Sequence, residues 1–152
     1  VARRFAEDLA RAGAVIVSGL ATGIDSEAHV GALNAGGKTI AVIGSGLDRQ
    51  SFFPSANWSL AETIAKGNGA VISEYPEGTP ARRHRFPERN RIIAGLSHGV
   101  IIVEAKERSG ASITARLALE ENRDVFAVPG SIFSLTSVLP NRLIKEGATP
   151  IT

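Results

Sequence analysis

Five short apolar runs rich in Val and Ile recur along the chain: AVIVSG at 14–19, TIAVIG at 39–44, GAVISEY at 69–75, GVIIVEA at 99–105 and DVFAVPG at 124–130. Each is too short for a buried helix and lacks polar–apolar alternation, which is the pattern of a strand covered on both faces. Segments of helical period separate them. Residues 2–12 put Phe5, Leu9 and Ala12 on one face and stop at Gly13. Further helices are predicted over 24–36 with Asp25 or Ser26 as N-cap, over 57–66, over 87–97 with Pro87 in its first turn, over 112–122 and over 137–147. Alternating strands and helices require right-handed crossovers and hence parallel pairing. The expected fold is α/β, a three-layer Rossmann-like domain with a mostly parallel sheet. The chain begins in a helix with no strand before it, so a first strand is expected to be missing. With no repeat, low-complexity tract or linker, residues 1–152 read as a single domain.

A chain of 152 residues that is 43% hydrophobic and 21% charged can bury a real core. The lack of cysteine excludes a disulfide framework and thiolate metal sites. No apolar run approaches the length that crosses a bilayer and no signal peptide opens the chain, so a cytoplasmic location without a membrane partner is expected. The formal net charge of +2 rules out a polycation. The charge is local instead. RRHRFPERNR, residues 82–91, holds five of the 17 basic residues against one acid, Glu88, which creates an attractive field for anions.

Ligands of open α/β sheets bind in the loops at strand carboxyl ends. Those loops hold three glycine turns: Ser18-Gly19, Gly44-Ser45-Gly46 and Ser109-Gly110-Ala111-Ser112. Such backbone can approach phosphates closely beside a helix N-terminus. GSGLDR has only the first two glycines of a dinucleotide fingerprint and no Walker lysine follows, and any α/β domain needs glycine at such turns. Asp25 and His29 stand four residues apart on one helix, and Glu74 and Glu104 close two strands. No HExxH string or ligand cluster accompanies them, so no catalytic residue, metal or cofactor is expected; Asp25 reads as a helix cap and His29 as a packed side chain. The basic segment offers more. Arginine forks grip phosphate, Phe86 offers a stacking face, and Asn90 can bond a base edge or phosphate. Arg89, Asn90 and Arg91 fall in the first turn of the helix predicted over 87–97, where the dipole disfavours cations and favours an anion. The alternative is a solvated basic loop with Phe86 tucked into the core.

In this order the stretches SGLATGIDSEAH, TIAVIGSGLD, ISEYPEGTP, FPERNRIIAGLSHGVIIVEA, SGASITARLALEENRDVFAVPGS and NRLIKEGA resemble the DprA/Smf family of DNA-processing proteins of bacterial natural transformation. The resemblance spans nearly the whole chain. It implies an extended Rossmann domain that binds single-stranded DNA without strong sequence preference and without catalytic turnover. It also implies loading of the RecA recombinase as a partner, and a homodimer. By position, Arg83 matches the family's basic residue before the phenylalanine and Phe86 its base-contacting aromatic. Arg89 and Asn90 match its RN pair, and Ser109, Gly110 and Ser112 its SGS turn beside the strand. Leu143 and Ile144 match its apolar self-association surface. Arg82 and Arg85, with Gly44 and Gly46 of the second loop, complete the expected DNA-binding set.

The chain departs from the family at several places. The first strand with its GSR loop is expected to be missing from this stretch, Thr22 stands where lysine or arginine is usual, and Phe53-Pro54 replaces Tyr-Pro with Ser55 after it. Leu139-Pro140 replaces glycine-cysteine, and the family's flanking helical and winged-helix-like modules are expected to lie outside these 152 residues. The alternative function is a Rossmann-like nucleotide-processing enzyme related to lysine-decarboxylase-like phosphoribohydrolases, whose PGGxGTxxE string SGASITARLALEE lacks. A purely structural assembly domain is the third possibility.

Overall fold

The computed structural model describes residues 1–152. The chain divides into two compact units, Val1–Arg89 and Asn90–Thr152, and the division falls inside one helix.

The first unit begins with α1 (Ala2–Arg11), β1 (Ile16–Ser18), α2 (Ile24–Asn34) and β2 (Thr39–Ile43), then α3 (Trp58–Lys66) and β3 (Ala70–Ser73). Its strands form a parallel sheet in the order β1-β2-β3, with Val17 opposite Ile40 and Ala41 opposite Val71. The central position of β2 explains the burial pattern. Its Ala41, Val42 and Ile43 are buried, whereas β1 and β3, each paired on one side only, are half-buried along their length. The expectation that AVIVSG is covered on both faces therefore fails at an edge strand. The core gathers Leu20, Ala41, Ile43, Phe52, Ala61 and Ile64.

α4 (Arg85–Leu96) leads into the second unit, which continues with β4 (Gly99–Ile102), α5 (Gly110–Glu120), β5 (Asp124–Ala127), α6 (Val138–Lys145) and β6 (Thr149–Pro150). These strands also pair in parallel, β4-β5-β6, with Val100 opposite Val125 and Phe126 opposite Thr149. β6 is a strand where the sequence offers only an extended tail. The core here is Val100, Ile102, Val125, Leu139 and Leu143 with small alanines between them. The alternation of apolar runs and helices thus yields an α/β fold with parallel pairing throughout. No helix is long and apolar enough to cross a membrane.

Two helix starts differ from expectation. Gly23, not Asp25 or Ser26, is the N-cap of α2, and Ser26 Oγ reaches back to accept the Gly23 N–H at 3.1 Å. Asp25 Oδ2 instead accepts the Ala21 N–H at 3.2 Å, which steadies the turn before the helix. α4 starts two residues before Pro87, so Arg89, Asn90 and Arg91 lie in its second turn rather than its first.

His29 is fully buried on α2, and its Nδ1 lies 2.6 Å from Thr39 Oγ1. Thr39 gives its only hydroxyl proton to the Ile16 carbonyl at 2.8 Å, so Nδ1 carries the proton of the His29–Thr39 bond. Nε2 is left as a buried lone pair without a partner. Protonating it would bury a charge, and desolvation pulls the pKa from 6.5 to about 4, against an opposing pull from Asp25. The unfolded chain therefore binds a proton near pH 6.5 that the folded chain refuses down to about pH 4. The folded pKa lies below the unfolded one, so stability is full above 6.5 and falls with pH across that window. The expected loss is about 3 kcal/mol between pH 7 and pH 4. Urea unfolding at both pH values, with His29→Asn as the non-titrating control, measures it. The variant should lack that part of the pH dependence.

Candidate nucleic-acid interface

The basic segment lies in the first unit up to Arg89, and its arginines do different work. Arg82 and Arg83 are exposed on the turn leading into α4, and neither guanidinium is engaged in an ion pair or hydrogen bond. Arg85 is committed within the loop: its guanidinium lies 4.9 Å from the Tyr75 ring centre and donates to the Pro80 carbonyl. Tyr75 in turn donates its hydroxyl to Glu88 at 3.0 Å.

Arg89 is turned inward. It is 6% exposed, and Nη1 donates to the Gly19 carbonyl at 2.8 Å and to the Val42 carbonyl. Those carbonyls stand just after β1 and within β2, so one guanidinium ties α4 to both strands. Burial lowers its pKa, with the charge of Asp25 opposing. Expected as a phosphate contact, Arg89 is instead held on backbone oxygen. Gly19 makes the approach possible, because a Cβ there would stand 2.6 Å from Nη2. The turn is strained as well as crowded. Leu20, buried in the core, has φ +58°, a left-handed conformation costing on the order of 1–2 kcal/mol, and Asn57 Nδ2 donates to its carbonyl at 2.8 Å.

The second glycine turn is a support rather than a cradle. Gly44 and Gly46 are both buried. A Cβ on Gly44 would meet Phe86 Cδ1 at 3.1 Å, so this glycine lets the ring approach β2. The Gly46 N–H is taken by the Thr79 carbonyl at 2.8 Å. Asp48 knots the neighbouring loops. It accepts from the Ser51 hydroxyl, from the Ser51 N–H at 3.1 Å and from the Gly78 N–H at 2.6 Å. These bonds favour the carboxylate and hold its pKa down to about 2, the Ser51 hydroxyl acting most strongly. Asp48 was not among the residues singled out from sequence, although an Asp that accepts the N–H three residues on is the pattern of an N-cap. Phe86 itself is half-buried and packs against Phe53, ring centres 5.6 Å apart.

The second unit holds the other expected residues. Asn90 is 8% exposed, with Nδ2 3.4 Å from the Gly110 carbonyl. Ser109 is the N-cap of α5, and its hydroxyl is buried without a partner. Gly110 is exposed, and Ser112 Oγ donates to the Ser109 carbonyl at 2.7 Å. Ser109, Gly110 and Ser112 line an open cleft of about 670 Å³ with Arg108 and Arg142. The charge of Arg142 is shared by Glu107 at 3.3 Å and Glu146 at 3.6 Å. Leu143 is only 7% exposed and belongs to the core, and Ile144 packs half-buried against it. Leu143 is thus not displayed as a surface for self-association. The large exposed apolar side chains of this unit are Ile132, Phe133 and Leu135 after β5, Leu119 on α5, Leu96 on α4 and Val138 at the start of α6. No group of three or more His, Cys, Asp or Glu residues converges on a metal-sized site.

The family model for DNA recombination-mediator protein A matches residues 1–152. The chain is 56% identical over 138 residues to DNA processing protein DprA of Streptococcus pneumoniae, covering 91% of this chain and 48% of that protein. It is 49% identical over 150 residues to protein Smf of Escherichia coli, covering 99% of this chain and 40% of that protein. The chain therefore spans about half the length, or less, of these relatives. Among solved structures, it matches DprA from Streptococcus pneumoniae with a TM-score of 0.90 at 50% identity, over 99% of this chain and 52% of that one. It also matches DNA processing protein A from Helicobacter pylori with a TM-score of 0.87 at 34% identity, over 99% and 66% of the two chains. That second structure concerns a single-stranded DNA-binding mode.

The inward role of Arg89 has a direct test. Arg89→Ala removes a charged donor from two buried carbonyls and should cost roughly 2–4 kcal/mol of stability. Gly19→Ala should also destabilise, by pressing a methyl group into the guanidinium. The double variant should be less damaged than the sum of the two, with a coupling of about 0.5–3 kcal/mol. Strict additivity in urea unfolding would show that the two residues do not meet.

Proposed function

The chain belongs to the DNA recombination-mediator protein A family, and from that premise we propose that it binds single-stranded DNA through the Arg82–Phe86 segment. The carrying observation is the exposed, unengaged pair Arg82 and Arg83 placed immediately before the first turn of a 12-residue helix, with Phe86 one turn on. Guanidinium forks and a helix N-terminus both attract phosphate, and a phenyl face accepts any base. Arg83 and Arg82 grip the backbone and Phe86 stacks. The Ser109-Gly110-Ala111-Ser112 turn opening α5 takes a further phosphate at the Gly110 and Ala111 N–H groups, the Ser112 N–H being bonded to the Ser109 carbonyl. Arg85, Arg89, Gly44 and Gly46 serve the site by shaping it. Binding is sequence-tolerant and without catalysis.

The relatives are named as DNA processing proteins, and the family as a recombination mediator. Within a mediator of that kind, this chain is the part that holds the strand. The wider role is loading of RecA in the cytoplasm during natural transformation, as a homodimer.

Titration of labelled single-stranded and duplex DNA of equal length at several salt concentrations tests the binding itself. Single strands should bind more tightly than duplex, and affinity should fall linearly with salt on a log–log plot. Arg83→Ala should weaken binding to all sequences alike and shallow that slope by about 0.7 per lost phosphate contact. An unchanged slope removes Arg83 from the phosphate grip.

A further inference from the structure

Two phenyl rings share one support at the carboxyl end of β2. Phe86 comes from the first turn of α4 and Phe53 from the loop after β2, with ring centres 5.6 Å apart and planes inclined at 45°. Consecutive residues hold them. Gly44 leaves the space that the Phe86 ring enters, and the buried Ser45 hydroxyl accepts the Phe53 N–H at 3.1 Å. The Ser45 carbonyl is itself held by the Ser73 hydroxyl at 2.6 Å, at the end of β3.

This careful placement does not bury Phe53. The residue is 48% exposed, while the adjacent Phe52 is buried edge-on to Trp58, with centres 4.9 Å apart. Phe52 belongs to the core of this unit and Trp58 packs against it, whereas Phe53 is not part of that cluster. A large apolar ring kept half in water on a fixed backbone forgoes part of its burial free energy, and what it offers is a flat face next to a second flat face.

We propose that Phe53 is a second base-stacking residue, and that it and Phe86 form a two-ring platform for unpaired bases of a DNA strand. The proposal rests on the single-strand reading above and adds a residue to it. A platform of this kind also discriminates by strandedness. Bases in a duplex are stacked on one another and show only their edges, whereas unpaired bases can swing onto a ring. Each base has a π-face, so the platform is indifferent to sequence.

The test is titration of the protein and three variants, Phe53→Tyr, Phe53→Leu and Phe53→Ala, with two strands of equal length, one ordinary and one abasic. Phe53→Tyr keeps a ring and should bind as the parent does. Phe53→Leu keeps an apolar side chain without a ring and should bind the ordinary strand about tenfold more weakly, with Phe53→Ala similar or worse. The salt slope should not change, because no phosphate contact is removed. On the abasic strand all four proteins should bind alike. Parent-like binding of the ordinary strand by Phe53→Leu would overturn the platform, and so would an equal loss on the abasic strand, while leaving single-strand binding itself intact. Failure of the parent protein to bind either strand would instead bring down the single-strand reading, and the platform with it.

Discussion

The buried guanidinium of Arg89 is the interaction on which the arrangement of the basic segment depends. It joins a helix to two parallel strands through the carbonyls of Gly19 and Val42. Removing a cation from water is costly, and burial lowers its pKa. Arginine tolerates this because its guanidinium is the most basic side chain and keeps its proton in proteins, whereas lysine shifts readily on burial. The charge of Asp25, on α2, compensates from the same unit. With α4 bolted at its second turn, its first turn is fixed too. Phe86 is thereby set against Gly44, and Arg82 and Arg83 fall just outside the helix in solvent. One arginine of the run turned inward is what leaves Arg82 and Arg83 facing outward.

Around that bolt the loops are braced by polar bonds in addition to the buried Phe52. Asp48 gathers the Ser51 and Gly78 backbone, Gly46 is bonded to Thr79, and Ser45 and Ser73 lock the ends of β2 and β3 together. Loops rich in small polar residues bury too little surface to be rigid by themselves. A carboxylate with several short donors supplies the order instead, and its depressed pKa of about 2 is the mark of it. A backbone ordered in advance loses less entropy when a ligand arrives. The combination is a stiff floor under two unrestrained guanidinium groups.

Much of the fold was legible in the sequence because its signals are periodic and long. Apolar runs such as TIAVIG and helical repeats such as Ala2–Arg11 say what they are without reference to distant residues. The exceptions are informative. β6 is two residues long and becomes a strand only by pairing with β5, which no local pattern announces. The edge position of β1 depends on strand order, and so its half-burial was invisible in a run of apolar letters. α4 begins at Arg85 because the turn before it closes with the Arg85 N–H on the Arg82 carbonyl, whereas Pro87 marks an early helical position without saying which. The site was half legible. Charge density picks out residues 82–91, but nothing in RRHRFPERNR distinguishes the arginine that goes inward from those that stay out. That distinction lies in Gly19, seventy residues earlier, whose missing side chain is the space the guanidinium fills.

The same division of labour accounts for the kind of recognition such a surface can perform. Reading a base sequence requires polar side chains held rigidly toward base edges. Here the rigid polar groups face inward: Arg89 bonds backbone carbonyls, Asp48 bonds loop N–H groups, and Asn90, the amide best suited to a base edge, is 8% exposed and lies against Gly110. What faces water includes charge without fixed geometry, in Arg82 and Arg83, and ring surface without polar atoms, in Phe53. Mobile cations recognise phosphate, which every nucleotide carries, and a phenyl face recognises a flat ring, which every base is. Sequence tolerance on the single-strand reading is then a consequence of which side chains the fold holds still.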